Sequence, residues 1–147
     1  MMTGYYRLPD KTREAEWFDA KGKRFIRSGD VGRMDEDGFI VLGDRKKDMI
    51  ITGGFNVYPS DIEEKLVQHP DVQECAVVGV PSEQWGETPV AFVVLRSDAS
   101  VQAQALREWL NARVGKTQRV ADVRLVEALP RSEIGKVLKR QLRDDYV

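Results

Sequence analysis

Two apolar runs, residues 73–80 and 88–95, constrain this chain more than any other feature. The first holds Cys75-Ala76-Val77-Val78-Gly79-Val80 and the second Pro89-Val90-Ala91-Phe92-Val93-Val94-Leu95. Short valine-rich runs bounded by polar and turn-forming residues read as strands. Neither approaches the ~18 consecutive apolar residues that a membrane span requires. Before them, Pro59-Ser60-Asp61-Ile62-Glu63 opens a helix. Ser60 with Glu63 three residues later predicts a capping box, Ile62, Leu66 and Val67 form an apolar stripe, and His69-Pro70 ends the helix. After them, residues 101–114 predict an amphipathic helix with Leu106, Trp109, Leu110 and Val114 on one face. Residues 122–127 alternate as a strand, and 136–144 close the chain as a short basic helix. With Met49-Ile50-Ile51-Thr52 as a leading strand and Gly53-Gly54 as a turn, the order after residue 48 is strand, helix, strand, strand, helix, strand, helix. This predicts a small α+β domain, its short, mostly antiparallel sheet flanked by helices.

The first third of the chain is different. Residues 1–20 show no period and read as irregular. Residues 24–42 contain short strand candidates broken by glycine turns, among them Asp35-Glu36-Asp37-Gly38 feeding Phe39-Ile40-Val41-Leu42. With 41% hydrophobic and 32% charged residues over 147 positions, a packed core is feasible and wholesale disorder is excluded. The 23 basic and 24 acidic residues nearly cancel, which argues against nucleic acid as a partner. Cys75 is the only cysteine, so no internal disulfide forms. A reducing compartment and a buried, small-hydrophobe role follow. The N-terminus lacks a secretory pattern, which predicts a soluble cytoplasmic protein. Cys75 and His69 have no metal-ligand spacing, so no metal site is expected, and His69 reads as a capping or surface residue.

Four polar constellations each carry two readings. In Arg27-Ser28-Gly29-Asp30-Val31-Gly32-Arg33, glycines flank an aspartate that is either a surface turn residue or an acceptor for the two vicinal hydroxyls of a ribose. The run Asp44-Arg45-Lys46-Lys47-Asp48 has nothing to bury and reads as a solvated linker, which is also what a hinge requires. In Gly53-Gly54-Phe55-Asn56-Val57-Tyr58-Pro59 the paired glycines suit a hairpin turn or a close backbone approach to a ligand. Pro130-Arg131-Ser132-Glu133-Ile134-Gly135-Lys136 is not a P-loop. It leaves a lysine on a glycine-bearing loop before a helix, either a plain surface lysine or a mobile charge for phosphate or carboxylate oxygens.

In this order and at this spacing, the motifs resemble the adenylate-forming enzymes: acyl-CoA synthetases, 4-coumarate–CoA ligases and firefly luciferase. The resemblance runs from Gly4-Tyr5-Tyr6 to Lys136. It is most specific in Asp44-Arg45-Lys46-Lys47-Asp48-Met49-Ile50-Ile51 through Asn56-Val57-Tyr58-Pro59, which leans toward the acyl-CoA ligase branch. It implies that Asp30 holds the ribose hydroxyls of ATP and the acyl-adenylate, that Arg45 also contacts the ribose, and that Lys47 is the hinge. Gly53 and Gly54 would line the channel for the pantetheine arm of CoA. Lys136 would be the catalytic lysine, bridging carboxylate and α-phosphate. ATP, with Mg2+ in the full enzyme, and CoA are the implied cosubstrates, and a carboxylic acid, first of all a fatty acid, is the implied substrate.

The same resemblance implies a division of the chain. Residues 1–43 correspond to the last, β-rich stretch of a large N-terminal domain, 44–48 to the hinge, and 49–147 to the mobile C-terminal domain. The phosphate loop, adenine pocket and acyl pocket of the family belong to the large domain, so the chain alone is expected to be inactive. The leading Met1-Met2 reads as an artificial or internal start. Strands in 24–42 would be orphaned, and residues 1–43 are expected to self-associate or fold back on themselves. Two other readings stand beside this one. One is a free-standing binding or regulatory module with the same fold. The other is an adenylating enzyme that loads the phosphopantetheine of a carrier protein.

Overall fold

The computed structural model describes residues 3–146, so the Met1-Met2 start lies outside the described residues. The chain forms two compact units that divide between Lys46 and Lys47.

The first unit begins with a helix that the aperiodic sequence concealed, α1 (Pro9–Ala15). Pro9 presets the first turn, and Thr12 Oγ1 donates to the Leu8 carbonyl while accepting from the Tyr5 N–H. No residue of α1 is buried, which is why no apolar period announces it. Strands β1 (Glu16–Phe18) and β2 (Arg24–Ile26) pair antiparallel, with Trp17 opposite Phe25 and their rings 5.0 Å apart. Strands β3 (Asp30–Met34) and β4 (Ile40–Arg45) pair the same way across the acidic turn. Asp35 shapes that turn by accepting from the Asp37 and Phe39 N–H groups, and Gly38 takes the positive φ of +85°. These strands are not orphaned, because they pair with each other in two ribbons. Yet no described residue of this unit is buried. Met34, Phe39, Ile40 and Leu42 are each about 70% exposed.

The second unit has a real core. Its elements are β5 (Ile50–Thr52), β6 (Phe55–Val57), α2 (Pro59–Leu66), β7 (Val72–Ser82), β8 (Gly86–Leu95), α3 (Ala103–Asn111), β9 (Asp122–Leu125) and α4 (Lys139–Tyr146). It is a mixed α+β layer structure. The long β7–β8 hairpin runs from Val72 opposite Leu95 to Ser82 opposite Gly86. β8 also meets β5 at Thr52–Gly86 and β9, in parallel, over Val90–Val93. β6, absent from the sequence reading, pairs with β5 across the two glycines. Side chains leave the hairpin alternately to two cores. Val77, Ala91 and Val93 pack with Ile62 and Leu66 of α2 and Leu106 and Leu110 of α3. Ala76, Val78, Val90 and Phe92 pack with Leu129 and with Leu142 of α4. Burial on both faces is what made the two runs apolar without alternation.

Three local expectations are corrected. Ser60 is not the N-cap: Tyr58 holds that position without a side-chain cap bond, Pro59 opens α2, and Ser60 lies inside the first turn. Glu63 instead turns to the rest of the domain, and its Oε1 accepts from the Val77 N–H and the Lys139 ammonium, both at 2.7 Å. The helix predicted over 101–114 is shorter, because Asn111 at its end bonds both backbone groups of Val120 and fixes the return to β9. The last helix starts at Lys139, so Lys136 stands in the loop ahead of it. Among the described residues no helix is long and apolar enough to cross a membrane.

Candidate functional site

In the first unit, the antiparallel register sets Asp30, at the start of β3, opposite Arg45, at the end of β4. The two-residue step from Asp30 to Gly32 faces a three-residue step from Leu42 to Arg45, a bulge that re-aims the strand ends. Arg45 Nε lies 3.7 Å from Asp30 Oδ1, with both side chains accessible. Gly29, at φ +79°, accepts from the Lys46 N–H, and the Asp30 N–H donates to Ser28 Oγ. Two residues that the sequence marked separately thus form one exposed acid–base pair. Such a pair offers a carboxylate acceptor and guanidinium donors to a ligand carrying hydroxyls.

In the second unit, Gly53 and Gly54 are the two-residue loop of the β5–β6 hairpin, at φ +55° and +82°. Two positive φ values in succession are what a twisted two-residue hairpin demands. Gly53 also donates to the Trp85 carbonyl at 2.9 Å, and a Cβ there would stand 3.0 Å from the indole. Nothing lies within 4 Å of a Cβ at Gly54. Beside them a groove of about 580 Å³ is lined by Gly53, Phe55, Trp85, Lys116 and Arg119 among others. Lys47 lies in the short 3-10 turn Lys46–Asp48.

Lys136 sits in a tight loop closed by a bridge between Arg131 and Val137. Ser132 N–H donates to the Lys136 carbonyl, the Lys136 N–H donates to Ser132 Oγ, and Gly135 takes φ +78°. Arg131 binds Glu74 on β7 and donates to the Gly135 carbonyl at 2.8 Å. The Lys136 side chain is exposed. No ion pair or hydrogen bond engages its ammonium among the described residues. Sequence reasoning quoted Arg131 without a role and passed over Glu74. Their only local signal was one charge each, which says nothing about a partner 57 residues away.

The two candidate regions of this unit lie at opposite ends of the β7–β8 hairpin. The Lys136 loop is tied to Glu74 and the glycine loop to Trp85, next to the Ser82–Gly86 end. Eight residues separate Glu74 from Ser82, about 26 Å at the usual strand rise. Cys75, on β7 beside Glu63, is partly buried, and burial followed by the nearby Glu63 carboxylate pushes its thiol up to about 12. Both effects favour the neutral thiol over the nucleophilic thiolate. Among the described residues no group of three or more His, Cys, Asp or Glu side chains could hold a metal ion.

A small α+β domain with an unpaired lysine on a glycine loop and a glycine hairpin at its far end defines a class. Residues 61–136 match the family described as the AMP-binding enzyme C-terminal domain, and the chain belongs to that family. Its whole length resembles the C-terminal region of adenylate-forming acyl-CoA ligases. A 2-succinylbenzoate–CoA ligase of Geobacillus kaustophilus is 43% identical over 140 residues, covering 95% of this chain and 28% of the relative. A long-chain-fatty-acid–CoA ligase of Mycobacterium tuberculosis is 40% identical over 146 residues, covering 99% and 28%. The ATP-bound structure of MatB from Rhodopseudomonas palustris, 40% identical, superposes with a TM-score of 0.88 over 98% of this chain and 28% of that one. The chain therefore spans a little over a quarter of the length of these relatives.

Proposed function

We propose that this chain is the mobile C-terminal lid of an ATP-dependent, AMP-forming acyl-CoA ligase, working with a large domain that binds ATP and the acid. In the first half-reaction the acid's carboxylate attacks the α-phosphate of ATP, giving acyl-AMP and pyrophosphate. Lys136 meets the negative charge that gathers there, worth about 3–4 kcal/mol if it acts as other preorganised electrostatic groups do. Asp30 accepts hydrogen bonds from the ribose hydroxyls and Arg45 steadies the same sugar. In the second half-reaction the CoA thiol attacks the acyl-AMP carbonyl and AMP leaves, with Gly53 and Gly54 lining the path of the pantetheine arm. Lys47 is the pivot between the two arrangements, and residues 44–48 the linker that holds it. Mg2+ would enter with ATP.

The observation that carries this reading is the placement of the Lys136 loop and the glycine hairpin at opposite ends of one rigid β-hairpin. One reacting centre cannot meet both at once across some 26 Å of strand, so serving both half-reactions requires the domain to turn. A fatty acid is the acid we propose, on the likeness to the long-chain-fatty-acid ligase. Comparable identity to the succinylbenzoate ligase fits an acyl pocket that lies outside these residues. A reducing, cytoplasmic setting is the expected location.

ATP–pyrophosphate exchange tests the proposal. The chain alone should be silent with fatty or aromatic acids. In the full-length ligase Lys136→Ala should lower exchange by about 10²–10³-fold, the usual cost of losing one such stabiliser. Exchange by residues 1–147 alone, surviving repurification, would show a complete adenylation site here and overturn the lid reading.

A further inference from the structure

We infer that Glu74 and Arg131 are positioning residues for adenylation, fixing the root of the Lys136 side chain. This inference rests on the role proposed for Lys136. A lysine ammonium ends a flexible four-carbon stem, so a protein aims it chiefly by holding the backbone from which it springs. The peptide between Gly135 and Lys136 is held from both sides. Arg131 Nη1 donates to the Gly135 carbonyl at 2.8 Å, and Ser132 Oγ accepts from the Lys136 N–H at 3.2 Å. The Lys136 carbonyl is taken by the Ser132 N–H at 2.8 Å, leaving only the side chain to move.

Arg131 can do this only while its own guanidinium is anchored. Its other terminal nitrogen binds Glu74 Oε2 on β7, a strand of the packed hairpin. The planar fork of arginine suits a carboxylate and a carbonyl together, and a lysine would serve one of them at a time. Behind the loop a second post, the 2.7 Å pair of Lys139 with Glu63, seats the first turn of α4 on α2. Gly135 takes its positive φ with open space around it, so the glycine serves backbone direction and not packing. The loop is therefore referenced to the sheet at its start and to α2 at its end.

The test separates aim from stability. In the full-length ligase, Glu74→Gln and Arg131→Gln should each slow single-turnover adenylation about tenfold, since a shift of an ångström is costly at a reacting centre. Thioester formation from preformed acyl-AMP should stay within about twofold, because the glycine hairpin lies at the far end of β7–β8. Arg131→Lys should fall between. The double variant Glu74→Arg with Arg131→Glu should restore the ion pair and the melting temperature but not adenylation, because a glutamate has no proton to give the Gly135 carbonyl. In the 147-residue chain, Arg131→Gln should speed amide exchange at Ser132, Gly135 and Lys136 about tenfold. Equal slowing of both half-reactions, or adenylation recovered by the double swap, would reduce the pair to a stabilising contact and overturn the inference. Wild-type adenylation by Lys136→Ala would instead remove the role of Lys136, and this inference with it.

Discussion

The Cys75 thiol lies 3.7 Å from the Glu63 carbonyl, on the strand that carries the packed hairpin. Its ordinary value of 9.0 rises to about 12, first through burial and then through the Glu63 carboxylate, because both disfavour a thiolate. At pH 8 the reactive thiolate is then about one part in 10⁴. We expect alkylation by iodoacetamide at pH 8 to be slow in the native chain and to appear on unfolding in urea. Rapid native labelling would show the site to be open. The pH dependence has a definite sign. Between about pH 9 and 12 the folded state keeps a proton that the unfolded state has released, so stability falls as pH rises through that window. Cys75→Ala should flatten that alkaline loss in urea titrations at pH 8 and pH 10. Asp30 and Arg45 make the contrasting case at this scale. Each was legible as a polar mark on a glycine turn or a charged run, but only the β3–β4 register, with its bulge, brings them within 3.7 Å.

Between elements, Glu63 is the node of the small domain. Its carboxylate joins α2, which carries it, to the Val77 N–H of β7 and the Lys139 ammonium of α4. Both partners of the ion pair are less than a quarter exposed, so loss of the carboxylate leaves a half-buried ammonium and a backbone N–H unmet. Glu63→Ala should cost about 2–3 kcal/mol, above an exposed pair and below a fully buried one. Chemical denaturation of the 147-residue chain measures it, and a loss under 0.5 kcal/mol would refute it. The sequence pattern pointed to Glu63 but not to its partners across the domain. The distance of three from Ser60 is a local signal, whereas Val77 and Lys139 lie 14 and 76 residues away. The same limit shifted the start of α4 and hid α1, since a helix that buries nothing leaves no periodic trace. α2, α3 and the β7–β8 strands were legible because each buries a face, and burial writes its period into the chain.

At the scale of the molecule, the two units differ in what holds them. Every buried side chain of the described residues belongs to the second unit, whereas the first exposes Phe39, Ile40 and Leu42 on or beside β4. An uncovered apolar ribbon seeks a partner. In isolation the chain should associate as its concentration rises. Light scattering should show the increase, and Ile40→Lys with Leu42→Lys should return it to a monomer. A clean monomer at all concentrations, with residues 3–46 resistant to protease, would contradict this. By itself the sequence determined the order of most packed elements and the small α+β class, and it marked Asp30, Arg45, Gly53, Gly54 and Lys136 as candidates for the proposed chemistry. The elements follow from short-range facts, periodicity and turn residues, whereas the candidates were marked by charge beside glycine and given roles only by the family resemblance. Only the tertiary structure decided who meets whom. It set Arg45 on Asp30, made Glu63 a junction between α2, β7 and α4, and tied the Lys136 loop through Arg131 to Glu74. The reason is physical. Burial is recorded residue by residue along the chain, but the partner of a charge depends on strand register and on which faces pack.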